Sequence, residues 1–403
     1  MSFRIVCERC DAEAGGRAPV RRCPACAGKL TFTYEYTGVH LPERAAGMWD
    51  YADLLPLTDP ACIVTLGEGG TPLLAASRDR GCQLSWKNEA RNPTGSQKDR
   101  ALSVAVSKAR EFKVQRVVVA STGSAGLACA AYCARAGLPC MVLVPQGTPA
   151  ERLLPMAALG ARIVEMEGTF VHIEHLLQSL EDDPTWYDAT TKRPANPFQA
   201  EGPKTIAYEV VGQLGRAPDW VVVPVGGGAT LFGVWRGFLD LLHLGRISRI
   251  PRLVAVQPAR FNTLEVALAR GLRTHAELES IAMDERVETI ARNLKHGLPP
   301  DGADALRAVR ESGGTALSVT DEEALTWQRR LGAEEGIFCE PSSAVVAPAV
   351  AALVGSGLVR PADTVVAVVT GSGLREVSAL TSTARATVRP DAGPAALDRI
   401  LPL

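Results

Sequence analysis

Six short, valine-rich runs set the terms on which this chain can fold. They are RVVVA (116–120), CMVLV (140–144), RIVEM (162–166), WVVVPV (220–225), RLVAVQ (252–257) and TVVAVV (364–369). As a set they are apolar on both alternations, the pattern of strands buried on both faces. Helical patterns separate them at 125–136, 150–159, 204–214, 230–240, 322–332 and 342–353. Parallel neighbours need crossover connections, so the alternation predicts an α/β protein with open, mostly parallel sheets. The stretch 260–315 is charged and helical with no clear strand, and reads as an insertion or a lid. The end, 381–403, reads as an irregular surface tail.

Length and charge narrow the function. The chain has 403 residues, with 43 Lys+Arg against 44 Asp+Glu. A net charge of -1 argues against a general nucleic-acid binder. The longest apolar stretch, 344–354, falls short of the ~20 residues of a membrane span and contains Pro348. A cytosolic protein acting on a small molecule, without membrane or nucleic-acid partners, is expected.

The first 26 residues carry Cys7, Cys10, Cys23 and Cys26, spaced C-x2-C-x12-C-x2-C. Two close thiolate pairs suit a tetrahedral zinc ion with a structural role. So short a segment needs the metal for its folding energy. A zinc ribbon over 1–35 is therefore expected, followed by a strand pair in TFTYEYTGVHLPE (31–43) and a linker. The other six cysteines lie in apolar surroundings and read as small buried hydrophobes.

In such sheets ligands gather beyond the carboxyl ends of strands, at helix N-termini. Three loops stand there: ASTGSAG (120–126), VGGGATL (225–231) and TGSG (370–373). The run Gly226, Gly227, Gly228 has no Cβ atoms to keep a phosphate away, and a helix dipole stands behind it. A fourth segment, EARNPTGSQKDRA (89–101), places Lys98 in the first turn of a predicted helix starting at Ser96. The dipole there disfavours an ammonium and so favours the nucleophilic amine.

Together these motifs resemble the fold-type II (tryptophan-synthase-β-like) pyridoxal-phosphate enzymes, most closely the threonine synthases. The likeness spans about 65–375 and also includes GEGGTPLL (67–74), EGPKTIAYEV (201–210), EGIFCEPSSA (335–344) and TGSGLRE (370–376). Some members carry an N-terminal zinc ribbon. The resemblance implies two domains flanking the site. One is large, 45–103 with 203–380, and the other small and mobile, 104–202. A homodimer is expected.

It also implies that Lys98 binds pyridoxal 5'-phosphate covalently and later acts as the base at the substrate Cα. Gly226, Gly227, Gly228, Ala229 and Thr230 would hold the phosphate. Thr370 would meet the pyridine nitrogen, with Ser372 as second choice. Ser124 would stand beside the ring hydroxyl, where the family usually has Asn. Ser121, Thr122 and Gly123 would bind the substrate carboxylate. The Glu340–Ser343 segment caps a helix and, in the family, often lines the cofactor pocket. The reaction implied is elimination or replacement at the β or γ carbon of an amino acid, a phosphorylated one by family habit.

One departure bears on the substrate. Threonine synthases resemble N-S-x-N-P-x-R where this chain has Arg193-Pro194-Ala195-Asn196-Pro197-Phe198-Gln199. The serine and arginine that grip a substrate phosphate are thus absent, leaving Gln199 and Arg193, or the neighbouring Lys192, to compensate. A β-replacement enzyme or a dehydratase acting on phosphoserine, acetylserine or threonine is the alternative. A catalytically silent protein with a partner-binding ribbon is another. Because every cofactor motif lies beyond residue 60, the ribbon is expected to be dispensable for cofactor binding.

Overall fold

Strands buried on both faces must pair with each other and be roofed by helices, and the chain does this twice. The computed structural model describes residues 3–377 apart from 17, 43, 44, 169 and 182, so the expected tail at 381–403 lies outside the described residues. A small antiparallel sheet comes first, made of β1 (Phe3–Cys7), β2 (Glu13–Ala14) and β3 (Leu30–Tyr34) in the order β2-β1-β3. The expected strand pair at 31–43 is instead this single strand β3, which returns onto β1.

β4 (Leu73–Ala75), β5 (Gln83–Asn88) and α1 (Lys98–Glu111) follow. A parallel four-stranded sheet then forms from β6 (Arg116–Ala120), β7 (Cys140–Pro145), β8 (Arg162–Met166) and β9 (Trp186–Asp188). Its order is β8-β7-β6-β9. Between these strands run α2 (Ser124–Ala136), α3 (Ala150–Ala158) and α4 (Phe170–Ser179).

The chain returns through α5 (Lys204–Leu214), β10 (Trp220–Pro224), α6 (Ala229–His243) and β11 (Arg252–Pro258). Next come α7 (Thr263–Ala269), α8 (His275–Glu279), α9 (Gly302–Glu311) and β12 (Thr315–Val319). It continues through α10 (Asp321–Glu335), α11 (Pro341–Ala344), α12 (Val346–Gly355) and β13 (Thr364–Val369). The larger sheet has the order β12-β11-β10-β13-β5-β4, parallel except for β4. Every residue of β10 and of β13 is buried, which is why both read as unbroken apolar runs.

The stretch 260–315 is no lid. Leu264, Ala267, Ala305, Leu306, Ala308 and Val309 are buried in the same core as β10 and α6. Among the described residues no helix is long and apolar enough to cross a membrane.

The sheet order decides where a site can form. β10, β13 and β5 are neighbours running in parallel. Their carboxyl ends therefore bring the Gly226 loop, the Thr370 loop and the segment leading to Lys98 to one edge. A groove of about 550 Å³ lined by Arg78, Asp79, Gln83, Arg216 and Thr364 opens at the opposite, amino ends.

The N-terminal sheet is welded to this body. Ile5, Phe32 and Tyr34 belong to the same buried cluster as Phe198, Phe232 and Trp235. The Phe32 and Phe198 rings stand 5.2 Å apart. Tyr34 donates a hydrogen bond to Glu201 at 2.7 Å, and Arg236 donates to the Phe32 carbonyl at 2.6 Å. Truncating a fully buried Phe costs about 3–5 kcal/mol. Phe32→Ala should thus lower the stability of the whole protein in one cooperative transition. Chemical denaturation followed by tryptophan fluorescence checks this, since a separate early transition for residues 3–36 would mark an independent appendage.

Candidate active site

Lys98 is the first residue of α1, and the loop before it is stitched to the loop after β13. The Gln97 amide donates to the Thr370 carbonyl at 2.9 Å, and the Ser372 amide donates to the Gly95 carbonyl at 2.8 Å. Ser96 pairs with Gly371 as a bridge. The helix thus starts just after the expected Ser96, whose hydroxyl accepts from the Lys98 amide at 3.3 Å. Asp99 braces the turn by accepting from the Thr94 hydroxyl at 2.9 Å and from the Thr94 amide at 3.1 Å. Burial pushes Asp99 up to about 7 against these bonds.

Below this loop lies a dry cluster of charges. Arg100 reaches Glu89 at 2.7 Å and Glu209 at 2.6 Å, and Lys87 reaches Glu209 at 2.6 Å. All four side chains are buried, so the start of α1 is tied to β5 and α5 by bonds that water does not weaken.

Desolvation lowers Lys98 to about 8, while the Asp301 and Glu340 carboxylates act the other way. The glycine loop opens α6. Gly228 has φ +102°, and a Cβ there would stand 2.5 Å from the Asp301 carbonyl. A Cβ on Gly226 would meet the Asn293 carbonyl at 2.8 Å. These glycines are therefore required by the segment 293–301 packed on them as well as by any ligand. The helix N-terminus at Ala229 and Thr230 leaves backbone amides without intrahelical partners, which suits a phosphate.

The Thr370 and Ser343 hydroxyls lie 2.8 Å apart, and Ser343 also accepts from the Gly371 amide at 2.7 Å. Both are neutral groups that can meet a pyridine nitrogen. Ser372 is occupied locally, capping the short turn 373–375 by accepting from the Leu374 amide at 3.3 Å. From the smaller sheet, β6 delivers Ser121, Thr122 and Gly123, and Ser124 opens α2. A Cβ on Gly123 would stand 2.8 Å from the Asn293 side-chain oxygen, so this loop faces the 293–301 segment.

One of the sequence-derived substrate residues is placed differently. Arg193, expected to reach a substrate, points into the protein instead. It pairs with Glu8 and Asp304 at 2.9 Å each, donates to the Leu30 carbonyl at 2.9 Å and lies 4.0 Å above the Phe232 ring. Two acids, a carbonyl and a ring surround this guanidinium. Gln199 is buried, with no partner for its side-chain nitrogen among the described residues. Lys192 pairs with Glu174 at 2.6 Å.

Sequence reasoning missed His296 and Asn293. His296 would touch a Cβ on Gly226 at 3.2 Å. Burial first, then the Lys98 and Lys192 cations, push it down to about 4 against Glu174. It is neutral at physiological pH, when it can both donate and accept. The turn-rich NLKHGLPPD (293–301) was the available signal, hidden inside a stretch read as an insertion.

The four N-terminal cysteines fit a metal. Their sulfurs all lie within 4.8 Å of one another. Cys7 and Cys26 stand 3.5 Å apart, Cys10 and Cys23 3.7 Å, and Cys10 and Cys26 3.4 Å. A tetrahedron with zinc–sulfur bonds of about 2.3 Å has edges of about 3.8 Å. A Cβ on Gly28 would intrude to 2.8 Å from the Cys7 sulfur. Cys129, Cys133, Cys140 and Cys339 are buried, as expected of small hydrophobes, while Cys62 and Cys82 are partly exposed.

Parallel sheets whose converging loops present a desolvated lysine, a glycine-rich helix start and a paired hydroxyl define a class of enzyme. Residues 64–371 match the family described as "Pyridoxal-phosphate dependent enzyme". The chain belongs to this family, in its fold type II. Its relatives include the threonine synthase of Methanocaldococcus jannaschii, 34% identical over 389 residues, covering 93% of this chain and 94% of that one. That of Synechocystis sp. is 37% identical over 347 residues, covering 83% and 86%. Among solved structures, threonine deaminase isoform 2 from Solanum lycopersicum is similar in fold with a TM-score of 0.62 at 21% identity, covering 77% and 86%. O-ureido-L-serine synthase has a TM-score of 0.60 at 23% identity, covering 76% and 90%. The protein is a threonine-synthase-like pyridoxal-phosphate enzyme.

The lowered Lys98 has a direct consequence in the cofactor-free protein. At pH 7 about one Lys98 in ten is a free amine, against fewer than about one in a thousand for an ordinary lysine. Acylation of Lys98, followed by peptide mapping, should rise with pH and level off above about 8. Asp301 favours the ammonium, so Asp301→Asn should move the midpoint lower.

Proposed function

We propose that the protein removes the Cα proton of an amino acid bearing a leaving group on its β or γ carbon and carries through elimination or replacement there. One observation carries this reading. Lys98, desolvated to about 8, stands at a helix start within the field of Asp301, whose amide bonds the glycine loop, and its own loop is hydrogen-bonded to the Thr370 turn. When bound, pyridoxal phosphate supplies the electron sink for the carbanion left at Cα. The residues do the rest. Gly226 to Thr230 would hold the phosphate on the α6 N-terminus. Thr370, hydrogen-bonded to Ser343, would meet the ring nitrogen with a neutral hydroxyl. A neutral partner there would favour elimination or replacement over transamination. Ser124 would stand by the ring hydroxyl. Ser121, Thr122 and Gly123 orient the carboxylate, so that the Cα hydrogen faces Lys98. The Lys98 amine accepts that proton and can return it. In the same reading, Cys7, Cys10, Cys23 and Cys26 hold a structural zinc ion.

The finer question is the leaving group. The phosphate-gripping pair of the threonine synthase motif is absent, Arg193 is spent on Glu8 and Asp304, and Gln199 offers at most one neutral amide. Lys192, whose charge acts on His296 beside Gly226, is one cation near the site, paired with the partly exposed Glu174. We take the substrate to carry an anionic or strongly polar leaving group held by Lys192, in a place other than the familiar fork.

Lys98→Ala should abolish turnover and covalent cofactor attachment, and attachment found on Lys87 or Lys204 after borohydride reduction would refute the assignment. With O-phosphohomoserine, kcat/KM should fall below the roughly 10⁴ M⁻¹s⁻¹ of ordinary metabolic enzymes. Gln199→Arg should raise it about ten- to a hundredfold, the worth of a charged hydrogen bond. Lys192→Gln should raise KM for the true substrate. Ordinary efficiency of the unmodified protein with phosphohomoserine would sink this specificity reading and leave the class intact.

A further inference from the structure

The four-cysteine unit sends two side chains to the same place. Lys29 follows the second cysteine pair by three residues. Its ammonium donates to Asp304 at 2.7 Å, to Asp301 at 3.3 Å and to the Pro300 carbonyl at 3.0 Å. Glu8, inside the first cysteine pair, takes Arg193 at 2.9 Å. The Arg193 amide donates to the second Asp301 oxygen at 3.1 Å, and its side chain also pairs with Asp304. Asp301 is thus held on both oxygens.

What Asp301 does with its backbone matters more. Its amide donates to the Gly227 carbonyl at 2.8 Å. Its own carbonyl is the atom that a Cβ on Gly228 would strike. Its carboxylate is the leading charge acting on Lys98. Arg193 meanwhile lies over Phe232, in the first turn of the helix that the glycine loop opens. The ribbon therefore grips, through Lys29 and Glu8, both the segment packed on the glycine loop and the helix behind it.

We propose that the N-terminal ribbon is a metal-dependent clamp on the cofactor: with metal on Cys7, Cys10, Cys23 and Cys26, Lys29 and Glu8 hold Asp301 and Arg193 so that Gly227 and Gly228 keep the phosphate-binding turn. This rests on the reading of Gly226 to Thr230 as the phosphate loop. It reverses the expectation that a segment far from every cofactor motif is dispensable for cofactor binding. The physical reason is that metal would fix the two cysteine turns that carry Glu8 and Lys29, and without it those turns lose that restraint although β1 and β3 stay packed in the core. Asp301 and Asp304 would then lose the Lys29 ammonium and Arg193 the Glu8 carboxylate, and the loop would shift to rehydrate these under-partnered charges.

The test reads binding, not turnover. The full-length protein is stripped of cofactor and titrated with pyridoxal phosphate, following its visible absorption, with zinc content and thermal unfolding measured alongside. Lys29→Met should keep its zinc and bind cofactor roughly ten- to a hundredfold more weakly, the worth of charge-assisted bonds. Lys29→Arg should restore most of the affinity. Removing zinc from the unsubstituted protein with a chelator should weaken binding similarly, and should add little in Lys29→Met. If Lys29→Met fails to fold, the chelator arm decides alone, and cofactor affinity unchanged by zinc removal overturns the clamp. So does a folded, zinc-loaded Lys29→Met with unchanged affinity. Thr230→Val separates the two readings. If it weakens binding while Lys29→Met does not, the phosphate loop stands and the clamp falls. If neither does, both fall.

Discussion

The buried cluster of Arg100 with Glu89, Glu209 and Lys87 is the constraint on which the rest depends. It joins the residue two positions past Lys98 to β5 and to α5. Taking one partner away from such a group typically costs about 3–5 kcal/mol, because the others remain buried and charged. That penalty makes the start of α1 a rigid platform. A rigid platform keeps Lys98 in a poorly solvated place, and the lack of solvation raises its share of free amine at ordinary pH. Structure and reactivity thus share one cause, the exclusion of water from a set of charges that satisfy each other.

The remaining parts come to Lys98 by topology. β10, β13 and β5 are adjacent, so the three loops after them cannot avoid each other. The fourth, at Ser121 to Ser124, arrives from the other sheet and meets Asn293. An ion pair crosses between the sheets, from Arg152 on α3 to Glu376 beyond β13. One irregular segment, 293–301, packs on Gly123, Gly226 and Gly228 where these loops meet. That segment fills the space a glycine leaves open and brings His296 and Asp301 with it.

Most of the regular structure was legible because burial on both faces leaves a plain mark, although the edge strand β8, expected to be buried on both faces, has no fully buried residue. The six valine runs coincide with β6, β7, β8, β10, β11 and β13 within about two residues. β5 and β9 were not seen. β5 contains Lys87 and Asn88, and a strand that buries a charge for its ion cluster does not look apolar. β9 has only three residues, Trp186–Asp188. The helices of 260–315 were seen, but not that they belong to the core, since a short amphipathic helix does not say which surface it covers.

The sequence by itself determined the kinds of chemistry: a lysine at a helix start, a glycine turn ahead of another helix, neutral hydroxyls after a buried strand, and four thiols at metal spacing. Each is a local arrangement set by backbone geometry within a few residues, and so is visible in one dimension. Only the tertiary structure decided which charges were free to act. Arg193 and Lys192 are neighbours with the same charge, yet Arg193 is enclosed by Glu8, Asp304 and the Phe232 ring, while Lys192 keeps one partly exposed partner, Glu174. Those partners lie far off in the sequence, and a charge is neutralised by what is near it in space.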